Sequence, residues 1–341
     1  MTTQPCTDRP SIQKSRLPTH LLIVLLPFFF AACPKSDDAP RTPRVGITAA
    51  SPSALAPLPT AFNGERAMDH VRKQMEFGPR SPDTPALAKT RAYIVNELKS
   101  YGLQVSLDEF TAVTPKGQKK MANIVVEIPG ETNNLLLVTS HYDSKFFSDI
   151  QFLGANDPGS SVGTLLEIGR VLGAMNTKPK ATYRLVFFDG EEAFCRNWDD
   201  CKNGAEPDNT YGSRHYAAQL KDKDELSRTR ALILLDMMGY KELELGRDTM
   251  STKWLQDIIW QTGRDLGYGN VFVDRPEGVG GDDHEPFLRA GVDSVDIIQL
   301  NNYPYWHEPT DTIDKISGQS LKIVGDTVLA SLPKIAERVV K

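Results

Sequence analysis

Residues 184–192 read RLVFFDGEE, and this stretch decides the fold. Leu185, Val186, Phe187 and Phe188 form a short continuous apolar run, the pattern of a strand buried on both faces of a parallel sheet. Asp189-Gly190 ends the strand, and Glu191 and Glu192 come next at its carboxyl end, where ligands bind in open α/β sheets. An isolated Glu-Glu pair is most simply an exposed acidic turn, but packing explains two adjacent acids after a buried strand poorly. Successive residues there need not point the same way. One carboxylate can then hold a metal while its neighbour stays free as a base.

Working outward, the same pattern recurs. Residues 135–140, LLLVTS, make a second buried strand, ending in His141-Tyr142-Asp143. Residues 231–235 make a third, ending in Asp236, and 295–300 a fourth, followed by a loop with Tyr303, Trp306 and His307. Residues 103–113 and 121–128 alternate as antiparallel strands at one side of the sheet. Helical spacing predicts helices over 65–77, 85–101, 160–175, 254–266 and 316–340. Gly78-Pro79 stops the first, and Thr84 caps the second with Pro85 in its first turn. Tyr211 opens another helix and Asp282-Asp283-His284 a short one, while Asp157, just before the 160–175 helix, has capping as its bland role. Buried strands alternating with helices imply a single doubly wound, mostly parallel mixed sheet with helices on both faces.

The chain has 341 residues, 40% of them hydrophobic, enough for one large α/β domain. A formal charge of −5 with mixed signs leaves no basic face and argues against nucleic acid as a partner. Four cysteines, Cys6, Cys33, Cys195 and Cys201, are too few for a disulfide scaffold and lack zinc-ribbon spacing.

At the amino terminus a basic leader with Arg9, Lys14 and Arg16 runs into an apolar stretch at 21–30, LLIVLLPFFF, and then Ala31-Ala32-Cys33. The apolar run is too short for a bilayer and contains Pro27. Residues 1–33 therefore read as an export signal. Its ending resembles a bacterial lipoprotein signal, which implies a lipid on Cys33 and an address in the cell envelope, outer membrane or periplasm. Phe30 stands where that pattern has Leu, which leaves cleavage and secretion open. Residues 34–61, rich in Pro, Ser and Ala, form a flexible tether, and residues 62–341 form the catalytic domain. Export permits a bridge between Cys195 and Cys201, which would hold the Trp198 loop; two free thiols are the alternative.

Five chain segments thus deliver His141, Asp157, Glu191-Glu192, Asp236 and His307 near strand ends, a nitrogen and oxygen donor set suited to zinc. The strings HYDSK at 141, GAND at 154, FFDGEEAF at 187, YGSRH at 211, DDHEPFLRAGV at 282 and WHEPTDT at 306 resemble the glutaminyl-peptide cyclotransferases and, more broadly, the zinc-dependent aminopeptidases of the same fold. The cyclotransferase resemblance implies one zinc held by Asp157, Glu192 and His307, with Glu191 moving a proton from the substrate's α-amine to departing ammonia. Asp236 and Asp282 would sit beside Glu191, and Trp198, Tyr303 and Trp306 would bind the substrate. The aminopeptidase resemblance implies two zincs bridged by Asp157, the second held by His141 and Asp236, with Glu191 activating water. A third reading, of another class, is a binding ectodomain without catalysis, which should lack at least one of these ligands. In either enzyme the substrates are peptide or protein amino termini.

Overall fold

The computed structural model describes residues 61–198, 200–203 and 206–340; the expected export signal and, Ala61 apart, the tether lie outside them. In chain order the elements are helices α1 (Gly64–Phe77) and α2 (Pro85–Ser100), then strands β1 (Val105–Thr114), β2 (Gly117–Ile128) and β3 (Leu135–His141). Helix α3 (Gly159–Gly173) and β4 (Thr182–Phe188) come next, then a short hairpin of β5 (Lys202–Asn203) and β6 (Glu206–Pro207). After these stand α4 (Tyr211–Asp222), β7 (Thr229–Leu235), β8 (Leu245–Asp248), α5 (Lys253–Asp265) and β9 (Phe272–Glu277). The chain closes with α6 (Glu285–Arg289), β10 (Ser294–Ile297) and α7 (Gly318–Val339).

The six-stranded sheet has the order β1-β2-β4-β3-β7-β10. Strands β1, β2 and β4 pair antiparallel, whereas β4, β3, β7 and β10 run parallel. Pleating sorts the apolar runs onto two faces. Leu136, Val138, Leu185, Phe187 and Ile233 pack against α1, α2, α3, α5 and α7, while Leu137, Val186, Phe188, Leu232 and Leu234 pack against α4 and α6. Both faces are covered, which is why these strands are apolar throughout rather than alternating.

Local chemistry sets the helix ends. Asn63 accepts from the amides of Glu65 and Arg66 and starts α1; Gly78 at φ 83° ends it. Thr84 caps α2 as its sequence predicts, accepting from Leu87 N, and Ser317 caps α7 so that it begins at Gly318 rather than at 316. The fourth expected strand stops at Ile297 instead of 300. The buried Glu277 carboxylate takes the amides of Leu300 and Asn301 there and turns the chain.

Register then places the site. His141 pairs with Phe188, Thr139 with Leu234, and Leu235 with Ile297. The residues following β3, β4 and β7 therefore emerge together. Strands β4 and β7 flank β3 on opposite sides, so the crevice at their carboxyl ends is a topological switch point, where such sheets bind ligands.

Candidate active site

Gly190 makes the turn after β4 at φ 77°, where an added Cβ would also meet Met121 Sδ at 2.7 Å. One buried carboxylate organises the turn and the two glutamates after it. Asp143 Oδ1 accepts from the amides of Gly190 (2.9 Å) and Glu191 (3.0 Å), and its Oδ2 from that of Glu192 (3.3 Å). The loop before α3 is fixed likewise. Asp311 accepts from the amides of Asn156 (2.9 Å) and Asp157 (3.2 Å), and the buried Arg80 donates to the carbonyls of Leu153 (2.6 Å) and Gly154 (2.9 Å). Asp157 does not cap α3: no side chain bonds that helix's first amides. Its carboxylate is left for the site.

Asp157 faces two ways. Its Oδ1 lies 3.3 Å from His141 Nε2, which is also 3.3 Å from Asp236 Oδ1. Its Oδ2 lies 3.5 Å from His307 Nε2, which is 3.3 Å from Glu192 Oε1. Within each set, His141 with Asp157 and Asp236 or Asp157 with Glu192 and His307, the donor atoms lie within 4.8 Å of one another. Donors bound at about 2.0–2.1 Å around a tetrahedral zinc are spaced about 3.3–3.4 Å apart, so both sets fit such an ion. Glu192 Oε2 is buried without a hydrogen-bond partner, with Lys145 Nζ 3.7 Å away. The His307 backbone sits at φ 57°, unusual for a non-glycine residue. Trp306 stacks on its ring at 4.2 Å and Phe147 and Phe152 meet it edge-on at 5.8 Å. Thr210 and Met237, each next to the site, also hold positive φ.

The adjacent glutamates have different electrostatics. Burial, reinforced by Glu192 and Asp282, pushes the Glu191 carboxyl well above the usual carboxylate range, and the His141 imidazole only partly offsets this. Glu192 is equally buried, but His307 and Lys145 outweigh the burial and hold it below that range. Neighbouring carboxyls driven apart in this way mark a proton carrier and a ligand. Burial also pushes Asp236 up to about 6 and Asp282 up to about 7, the latter raised further by Asp236.

One cavity of about 1170 Å³ opens onto these groups, with Trp198, Trp306, Asp282 and Arg214 among its walls. Trp198 lies opposite Gly281, where a Cβ would come within 3.7 Å of its ring. Cys195 and Cys201 are bridged, closing the loop that carries Trp198. Tyr303, expected to bind substrate, does not line the cavity. It is buried, packs on Tyr240 and Tyr305, and donates to Asp311 Oδ1 at 2.5 Å, so it supports the Asp157 loop from behind. Sequence reasoning gave no role to Asp143, Lys145, Asp311 or Arg80. The first three stand inside the HYDSK and WHEPTDT strings; Arg80 carries no signal of its own.

A family described as Peptidase family M28 matches residues 123–332. Fold and candidate donor sets are thus those of an exopeptidase-type α/β protein, and the chain belongs to Peptidase family M28. Among curated relatives, the glutaminyl-peptide cyclotransferase of Dictyostelium discoideum is 30% identical over 302 residues, spanning 72% of this chain and 79% of that one. An Acidobacteriales bacterium glutaminyl cyclase superposes with a TM-score of 0.77 at 35% identity, covering 85% and 99% of the two chains. A leucine aminopeptidase precursor from Bacteroides thetaiotaomicron superposes at 0.75 and 26% identity, covering 82% and 99%. Within the family, this chain falls with the glutaminyl-peptide cyclotransferases.

Proposed function

We propose that the protein is a zinc-dependent glutaminyl cyclase, converting amino-terminal glutamine of peptides to pyroglutamate with release of ammonia. The observation that carries this reading is the pair of indoles, Trp198 and Trp306, on the wall of a cavity whose base holds the Asp157, Glu192 and His307 set. A flat apolar mouth of this kind suits a primary carboxamide on a short alkyl stem. Zinc held by Asp157, Glu192 and His307 would supply Lewis acidity toward the γ-carbonyl oxygen. Glu191, its carboxyl raised well above the usual carboxylate range by burial, takes a proton from the α-amine as that nitrogen bonds to the γ-carbon. It returns the proton to the leaving nitrogen as the C–N bond breaks and ammonia departs. Asp282, itself raised by burial and by Asp236, pushes the Glu191 carboxyl up further and so favours the protonated form that hands the proton to the leaving nitrogen. The indoles orient the side chain and exclude water that would hydrolyse the amide.

A second reading, a di-zinc aminopeptidase, is favoured by the complete His141, Asp157 and Asp236 set. One product assay separates them. Purified protein is given a Gln-initiated and a Leu-initiated peptide, with zinc measured in parallel. Ammonia and pyroglutamate with about one zinc per chain are expected. Release of the first residue with about two zincs would establish the aminopeptidase, and neither activity without zinc would establish a binding ectodomain.

The same proposal places the enzyme in a bacterial cell envelope, anchored by lipid on Cys33 and carried on a tether through residue 61. Its support is the residue pattern at 1–33 and the Cys195–Cys201 bridge, which an oxidising compartment preserves. Among the described residues no helix is long and apolar enough to cross a membrane.

A further inference from the structure

The cavity is larger than its chemistry requires. At about 1170 Å³ it exceeds the roughly 300–1,000 Å³ that encloses a drug-sized ligand. Its outer part is a trough between two helices. Arg214, Ala217, Ala218 and Lys221 line it from α4, at the spacing of a single helical face. Pro286 and Arg289 line it from α6.

The trough has a fixed origin. Thr210 N donates to Glu191 O and Tyr211 N to Gly190 O, so α4 begins at the catalytic glutamate and runs away from it. Lys221 then lies about 16 Å along the axis from Thr210, at ~1.5 Å per residue. An extended peptide covers that span in about five residues, at ~3.3 Å each. Charge along the way is not balanced evenly. Arg214 is matched by Glu206 at 2.6 Å and Arg289 by Glu285 at 2.7 Å. Lys221 is exposed and forms no ion pair among the described residues. Ala218, small and exposed, leaves room for a main chain against α4, while Ala217 packs into the core beneath it.

We infer that this trough holds the substrate chain beyond its first residue and that Lys221 selects acidic side chains near the fifth and sixth positions. The inference rests on the cyclase reading for the identity of the first residue, but not for the trough. The natural substrates are then polypeptides with an acidic segment a few residues after the amino terminus, rather than free glutamine or dipeptides.

Two Gln-initiated heptapeptides test this, one with glutamates and one with lysines at positions five and six, alongside glutaminyl-alanine amide. At low salt the acidic peptide should show kcat/KM about fivefold above the basic one, the scale of an exposed charge pair. Anisotropy of labelled copies should give the same ratio of Kd. Lys221→Glu should invert both ratios, and 0.5 M salt should erase them. Equal constants for the two peptides at low salt, or a preference unchanged in Lys221→Glu, would overturn the proposal. Should no Gln substrate release ammonia, including the amide, the cyclase reading falls, while the Kd ratio still decides whether the trough selects charge.

Discussion

Glu191 and Glu192 are neighbours in the chain, and one carboxylate, Asp143, holds the amides of both, yet their side chains meet opposite surroundings. Glu192 meets His307 and Lys145; Glu191 meets carboxyls and the His141 ring. The difference between them is therefore environmental rather than chemical. Glu191→Gln should keep its zinc by elemental analysis but lower kcat by about 10²–10⁴-fold; loss of metal with the substitution would make Glu191 a ligand. At this scale the sequence was most informative about groups that end buried strands. His141, the glutamate pair and Asp236 could be located because an apolar run fixes where the strand stops. Asp143 and Asp311 were not separable from ordinary polar neighbours, because their work is done on backbone amides, which sequence does not display. Tyr303 was misplaced for a related reason. An aromatic close in sequence to His307 can face the cavity or the scaffold, and only its hydrogen bond to Asp311 decides.

The central strands and long helices emerge directly from apolar periodicity, since their burial on two faces or one writes itself into composition. Smaller pieces do not. Strands β8 and β9 pair with each other outside the main sheet, and β9 contains Pro276, which argues against a strand in any sequence reading. The two-residue β5–β6 hairpin is too short for a pattern. Between elements, Arg184 of β4 bonds Glu127 of β2 and Glu225, which also pairs with Arg228. Burial alone would raise the Glu225 carboxyl, but hydrogen bonds from Arg184 and Arg228 pull it down to about 2. Its folded value lies below the unfolded one of about 4.3, so its contribution to stability is complete above that pH and is lost as pH falls through about 2. Glu225→Gln should lower the melting temperature at pH 7, and the gap to the unsubstituted protein should close between about pH 4.5 and 2. A gap constant across that range would mean that the clasp is not electrostatic.

For the whole molecule, packing begins with the first described residues. Phe62 is buried against Gly325 of α7, where any Cβ would lie 2.3 Å from its ring, and Ala61 O accepts from Arg170. A chain beginning at Ala61 should melt at the same temperature as the full chain in calorimetry and bind as much zinc. Phe62→Ala in either form should cost about 3–5 kcal/mol, and a truncation that destabilised the body as much as this substitution would place the boundary earlier. The bilateral carboxylate of Asp157 has a consequence of a different kind. Two ions bound together would draw on one residue, so their affinities are linked, each altering the other's by the same factor. Metal uptake would then be a joint property of the pair: an isotherm fitted as two independent sites would misstate both constants, and a weak second ion could change how firmly the first is kept.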